Sequence, residues 1–222
     1  MESEPESVSD VVAAWIKGWV VSRGAAEPVA EPWGWTIDVG QVKHVSRHVV
    51  PEPDEATVRK LVEATSAPAT WLKLFARDDV VRPWLGPGWQ VDEPGFLMTL
   101  PLAPARTEVP SGYTLTSWTA GGVLRVLVRT GAGHFAARGQ IAVTGASAVA
   151  DQIETAPGHQ RRGLGSLVMR TLQNAALEAG ATTGILVGTP QGQALYGALG
   201  WTTRSPMASL YFDPSDPASS GA

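Results

Sequence analysis

The chain has 222 residues, 44% of them hydrophobic, enough to fill the core of one large domain or two small ones and too many for a disordered chain. A net charge of -4 argues against a basic face able to neutralise nucleic-acid phosphates, so the expected partner is a small molecule, with no nucleic acid and no membrane. The absence of cysteine excludes thiol nucleophiles, disulfides and thiolate metal sites.

The opening "MESEPESVSD" is acidic where a secretory signal is basic, which places the protein in the cytoplasm. The apolar run from Val11 to Val21 is interrupted by Lys17 and Gly18 and falls short of the ~20 residues that span a bilayer. Val8, Val11, Val12, Trp15, Ile16, Trp19 and Val20 instead follow helical spacing, with Ser9 or Asp10 as N-cap and Gly24 past the end. Next come strands at "WTIDVG" and "HVSRHVV", a helix at "PDEATVRKLVEAT", a strand at "TWLKLFA", a short helix around "DDVVRPWL" and a strand at "GFLMTLPL". The Pro-rich, polar stretch 103–112 predicts a boundary near Pro110, dividing the chain into regions 1–110 and 111–213 and a flexible tail, 214–222.

Strands at "YTLTSWT", "VLRVLVR" and "HFAARGQIAV", turned by "AGG" and "GAG", open the second region and lead into "SAVADQIETA". Leu164, Leu167, Val168, Leu172, Ala175, Ala176 and Ala179 then share one helical face that stops at Gly180. "TTGILVG" reads as a strand buried on both faces, "PQGQALYGAL" as a short helix and "MASLYF" as the last strand. The order strand, helix, strand predicts a parallel pair joined by a crossover, within an α+β fold.

The stretch "ETAPGHQRRGLGSLVMR" combines a strand end, two glycines and a helix start. A chain turning through Gly163 and Gly165 into a helix leaves backbone N–H groups unpaired, and with the positive helix end they suit a phosphate or pyrophosphate. Arg161 and Arg162 add cationic donors. The dinucleotide fingerprint fails because Val168 stands where its third glycine belongs, and no GK[ST] triphosphate loop occurs. Turns of this composition also occur without a ligand.

"QRRGLG" after "IETAP", followed by a helix, "GILVGTP", "ALYGALGW" and a closing strand, resembles the GNAT superfamily of acyl-CoA-dependent N-acyltransferases over residues 113–212. The first motif is similar to Q/R-x-x-G-x-G/A and the second to A-x-x-L-Y-x-x-L-G-F, with Trp201 for Phe. The resemblance implies a mixed, mostly antiparallel sheet with a central parallel strand pair flanked by helices, plus an N-terminal α/β extension. That extension takes the place of two helices missing between "YTLTSWT" and "VLRVLVR", covers the acceptor side and reads as a diverged half of the same fold. The resemblance also implies that Gln160, Arg161, Arg162, Gly163, Leu164, Gly165 and Ser166 hold the pyrophosphate of acetyl-CoA, used as co-substrate without a metal. The amides around Ile153 and Thr155 would polarise the thioester carbonyl. Thr189 stands where the family often has Asn; its hydroxyl is able to cap the helix that Pro190 begins.

An amine acceptor with a pKa near ~10.4 must lose a proton before it attacks. Glu154, nearest the turn, and Asp151, three residues earlier, are the candidate bases, and a strand bulge would let either face the site. Tyr196 is rotated away from the apolar stripe of Leu195, Ala198 and Leu199, and the matching tyrosine in the family protonates the departing thiolate; a half-buried tyrosine with one hydrogen bond is the bland alternative. The expected activity is direct acetyl transfer from acetyl-CoA to a primary amine of a small molecule or peptide, by a monomer or homodimer. A catalytically silent acyl-CoA sensor is the alternative. His44 and His48 have the spacing of zinc ligands but sit in a strand pattern and read as surface histidines, and His159 reads as a solvated loop residue. The first region holds seven of the nine tryptophans, most as core, with one or two lining a pocket.

Overall fold

The structure is a computed structural model, and it describes residues 7–215. The readings of "MESEPES" and of the tail fall mostly on residues outside those described.

Helix α1 (Val8–Arg23) starts two to three residues earlier than its capping signals predict. Ser7, not Ser9 or Asp10, is the N-cap: its extended backbone brings its hydroxyl to the Asp10 N–H at 3.1 Å, and the Asp10 carboxylate accepts from the Ser7 N–H in return. That capping box satisfies two orphan donors. Gly24, at φ 61°, ends the helix.

The strands are β1 (Val29–Glu31), β2 (Gly34–Gln41), β3 (His44–Val50), β4 (Thr70–Leu74), β5 (Trp89–Val91) and β6 (Gly95–Pro101) in the first region. Helix α2 (Glu55–Ala64) links β3 to β4, and α3 (Asp78–Val81) follows β4. The second region contributes β7 (Tyr113–Ala120), β8 (Val123–Thr130), β9 (Phe135–Thr144), β10 (Ser147–Thr155), helix α4 (Leu164–Glu178), β11 (Thr183–Gly188), helix α5 (Pro190–Ala198) and β12 (Thr202–Phe212). All twelve join one sheet in the order β1-β2-β3-β4-β12-β6-β11-β10-β9-β8-β7, with β5 paired to β12. Most neighbours are antiparallel; β3/β4 and β10/β11 are the parallel pairs.

Two strands tie the regions together. β6, from before the Pro-rich stretch, lies between β11 and β12. β12 runs much longer than "MASLYF": Thr202–Met207 pairs with β6 and Ala208–Tyr211 with β4. Pro206 is accommodated beside a register shift between Thr203 and Ser205.

Alternate residues of the central strands fill opposite cores. Ala148, Ala150 and Leu186 pack with Leu164, Leu167, Val168 and Leu172 of α4, whereas Val149 and Ile185 pack with Val11, Val12, Trp15 and Ile16 of α1. Each such large apolar side chain contributes roughly 1.5–3 kcal/mol. Gly18 makes the second contact possible, because a Cβ there would lie 2.3 Å from Val149 Cγ2. A third core joins Val58 and Val62 of α2 to Leu72, Leu74 and Leu210. Among the described residues no helix is long and apolar enough to cross a membrane.

Candidate functional site

β10 and β11 run parallel and in register only from Ser147↔Thr183 to Val149↔Ile185. Beyond that point they part, and two causes are visible. β11 stays laddered to β6 through Gly188↔Phe96, while β10 follows β9 and shifts register between Asp151 and Glu154, with Gln152 at φ 53°. The bulge bends β10 away and leaves Ile153 out of register with either neighbour.

A cavity of about 880 Å³ fills the gap. It brings together every catalytic and coenzyme-binding candidate named from the sequence except Arg162: Asp151, Ile153, Glu154, Thr155, Gln160, Arg161, Gly163, Leu164, Gly165, Ser166, Thr189 and Tyr196. The Arg162 Nη1 instead donates to the Tyr113 hydroxyl at 3.3 Å, and that hydroxyl lies 2.9 Å from His159 Nδ1. His159 is thus a ring-packed neighbour of Tyr113 rather than a solvated loop residue.

One wall is the start of α4. Gly163 occupies the N-cap at φ 77° and Arg161 is also left-handed at φ 62°. No side chain caps this helix, and the Leu167 N–H to Gly163 carbonyl bond leaves the N–H groups of Leu164, Gly165 and Ser166 ahead of the first helical hydrogen bond. The other long helices are all capped, by Ser7, Asp54 and Thr189. Gly165 has a steric duty distinct from anion approach: a Cβ there would lie 2.9 Å from Leu195 Cδ2, so its absence lets α5 close against α4. A second cavity of about 470 Å³ continues past Gly163 and Ser166, under Arg106, Thr107 and Glu108 and beside Arg170.

The opposite wall is α5. Thr189 accepts from the Gly192 N–H at 3.2 Å, so its hydroxyl caps the helix as expected. The apolar stripe is corrected: Ala198 is exposed, and Tyr196 is the one buried residue of α5. The phenol ring fits where a Cβ on Gly188 or Gly192 would meet it at under 3 Å, and its far side packs on Trp201 at 6.3 Å between centroids. Burial, and secondarily the Asp151 charge, push the Tyr196 pKa up to about 12, so the phenol carries its proton at neutral pH.

The two carboxylates differ. Asp151 is largely covered and accepts from Arg23 Nε at 2.5 Å, Arg23 Nη2 at 2.8 Å and the Ser22 hydroxyl at 2.9 Å. It clamps the end of α1 onto the bulge, and Gln140 Nε2 completes the network by donating to the Ser22 carbonyl and hydroxyl at 2.7 Å each. Glu154 is half-exposed, 2.8 Å from Arg138 Nε, an ion pair of small net strength that leaves the carboxylate open to water. Sequence reasoning missed Arg23, which lines the cavity, because nothing local connects residue 23 to residue 151. Gly188 and Gly192 were legible as small residues flanking "TPQ" but carried no assigned purpose.

The histidines are corrected too. His44 and His48 are half-buried, not surface residues. His44 stacks near Trp71 at 5.1 Å and Trp19 at 6.3 Å, and His48 lies 3.0 Å from the Thr36 hydroxyl. Burial first, then Arg47, Lys73 and Arg23, lower the His44 pKa to about 3.

Among solved structures, the chain is similar to a GCN5-related N-acetyltransferase from Kribbella flavida, with 19% identity and a TM-score of 0.65 over 94% of this chain and 96% of that one. The fold is that of the GNAT acetyltransferases. A GCN5-related N-acetyltransferase-like protein from Streptococcus suis shares it at 11% identity and a TM-score of 0.56, over 92% of this chain and 98% of that one. A tandem GNAT protein from the clavulanic acid biosynthesis pathway shares it at 16% identity and a TM-score of 0.53, over 72% and 69%. No protein-family model and no curated protein matches the sequence. In this GNAT fold the parted parallel strands, the uncapped α4 start and Tyr196 all meet at one cavity.

Proposed function

We propose that the protein is an acyl-CoA-dependent N-acyltransferase that moves an acetyl group from acetyl-CoA directly to a primary amine. The observation that carries this reading is the contrast among helix starts: α4 alone of the long helices lacks a side-chain cap, and it opens onto the cavity between β10 and β11. An uncapped helix start rimmed by Arg161 is a pyrophosphate seat. A cavity of about 880 Å³ suits the thioester arm, and the second cavity, flanked by Arg106 and Arg170, receives the nucleotide end.

In this reading the unladdered Ile153 amide faces the thioester carbonyl and stabilises its developing negative charge. Glu154, open to water, accepts the amine's proton through solvent. Asp151 is not the base in this reading, because Ser22, two nitrogens of Arg23 and the Gln152 N–H already occupy its oxygens and its place is structural. Tyr196, with a pKa near 12, is a weak acid relative to a thiol of ~8.5, so its contribution is a hydrogen bond to the sulfur as charge develops rather than full proton transfer beforehand.

The sensor alternative draws on the pairing of both carboxylates. Release of free coenzyme A thiol over a panel of primary amines separates the two. The expected result is turnover of at least one amine, lowered about 10²-fold in Tyr196→Phe with unchanged acetyl-CoA affinity. Tight acetyl-CoA binding with no amine-dependent thiol release across the panel would support the sensor.

A further inference from the structure

Between α1 and the first half of the sheet lies a cluster of cations and aromatic rings that the transfer chemistry above does not use. Its centre is Arg47 on β3, 8% exposed. The guanidinium lies 3.9 Å over the Trp19 ring and 6.0 Å from the Trp15 ring. Its Nε donates to His44 Nε2 at 3.2 Å, which the neutral imidazole is able to accept. Neighbouring Lys73 stacks 4.2 Å over Trp71 and donates to the Ser209 hydroxyl.

Two facts set Arg47 apart from an ordinary core arginine. Among the described residues it has no carboxylate partner within ion-pair distance, and Asp151, whose charge reaches it, is already engaged by Arg23. Burying an unpaired charge is expensive, so such a group calls for an anion. Moreover, its two terminal nitrogens find no acceptor among the described residues. They are also not sealed: the fully buried side-chain atoms without partners are Asp78 Oδ1, Trp89 Nε1 and Thr144 Oγ1 among the described residues. The terminal nitrogens therefore keep only a narrow strip of surface, on a residue that is 8% exposed, with the Trp19 face and the His44 bond behind them. A guanidinium fixed on one edge and open on the other matches a carboxylate with two parallel hydrogen bonds.

The position ties this fork to the cavity. Arg23 lines the cavity, and its guanidinium lies 5.9 Å from the same Trp19 ring that carries Arg47. One indole thus lies beside both a cation that lines the cavity and the Arg47 guanidinium. Burial first, then Arg23, lower the Arg47 pKa to about 9, with the Asp151 charge acting in the opposite direction. We propose that Arg47 receives a carboxylate of the acceptor, so that the acceptor is a small amine that also carries a carboxylate. This rests on the acyltransferase reading and adds the substrate class to it.

The test uses matched acceptors with and without the carboxylate: phenylalanine and phenethylamine, lysine and cadaverine, γ-aminobutyrate and butylamine. In at least one pair the carboxylated member should have the higher kcat/KM by about 10²-fold. Arg47→Met should reduce that preference to a few-fold without changing acetyl-CoA affinity, and Arg47→Lys should restore only part of it, since an ammonium lacks the fork. Equal use of both members in every pair, or a preference that survives Arg47→Met, overturns the inference and leaves acyl transfer standing. If no amine turns over, the N-acetylated pairs are titrated into the coenzyme A complex. Failure of every carboxylated member to bind more tightly than its partner overturns the inference as well. Absence of acetyl-CoA binding would instead overturn the acyltransferase reading.

Discussion

The sheet contains two parallel strand pairs built alike, and they end differently. β3 and β4, joined by α2, remain in register over five pairs from Ser46↔Thr70 to Val50↔Leu74. β10 and β11, joined by α4, lose register after three. The crossover helix of the closed pair starts with Asp54, whose side chain takes the Thr57 N–H at 3.0 Å; that of the open pair starts with Gly163 and no cap. β3 shifts register against β2 between His44 and Ser46, ahead of its pairing with β4, whereas β10 shifts against β9 at Gln152, just past its pairing with β11. The same strand-helix-strand topology thus packs an apolar core under α2 in one half and borders a cavity in the other. The place of the bulge and an uncapped glycine are the difference, which locates function in local irregularity rather than in topology.

The strongest way to break this contrast is to disrupt the packing around the uncapped start of α4. Gly165→Val puts branched carbon into the Leu195 side chain and forces α4 and α5 apart. Acetyl-CoA affinity should fall more than about 100-fold, or about 2.7 kcal/mol by calorimetric titration, with cooperative thermal unfolding retained. Unchanged affinity would place the coenzyme elsewhere. Next in size is the clamp that holds the bulge. Asp151→Asn removes the charge facing Arg23, whose side chain is 35% exposed, so screening limits the loss to about 1–3 kcal/mol of stability in a denaturant titration. If Asp151 were the base, the same variant would also erase the acidic limb of the pH–rate profile; that limb should survive and disappear in Glu154→Gln. The closed pair supplies the control: Asp54→Ala should cost about 1 kcal/mol of stability and leave acetyl-CoA binding untouched.

A smaller effect follows from His44. Its folded pKa is depressed from 6.5 to about 3, so the unfolded chain binds a proton before the folded protein does. The stability it contributes is present above pH 6.5 and declines as pH falls toward 3. His44→Gln should flatten the stability-against-pH curve in that window, and an unaltered slope would contradict the buried, neutral assignment.

Periodicity and punctuation made the helices legible. α4 announces itself through Leu164, Leu167, Val168 and Leu172, and α5 through Pro190 after Thr189. The crossover from β10 to β11 was readable because only one order of elements joins them. What was not legible is non-local. The insertion of β6 between β11 and β12 depends on pairing across roughly a hundred residues, and apolar alternation does not name a partner. The three-residue strands β1 and β5 carry too little pattern to be seen. Within the site, the glycine turn was visible from spacing, but the capture of Asp151 by Arg23 and of Arg162 by Tyr113 arises from side chains that meet only in the folded protein. Tyr196 was placed correctly on α5 and wrongly relative to its stripe, since the glycines that admit its ring lie on β11 as well as on α5.

The central claim is that the uncapped start of α4 seats the pyrophosphate of the coenzyme. Its most direct test is a calorimetric titration with acetyl-CoA and with S-acetylpantetheine, which keeps the thioester arm and lacks the pyrophosphate together with the nucleotide beyond it. It is run on the wild-type protein and on Arg106→Ala, which in this reading removes a contact to the nucleotide alone. The account predicts that removing the pyrophosphate weakens binding about 100-fold or more in both proteins, with the difference shrinking as salt screens the turn. Equal affinity for the two thioesters would contradict it.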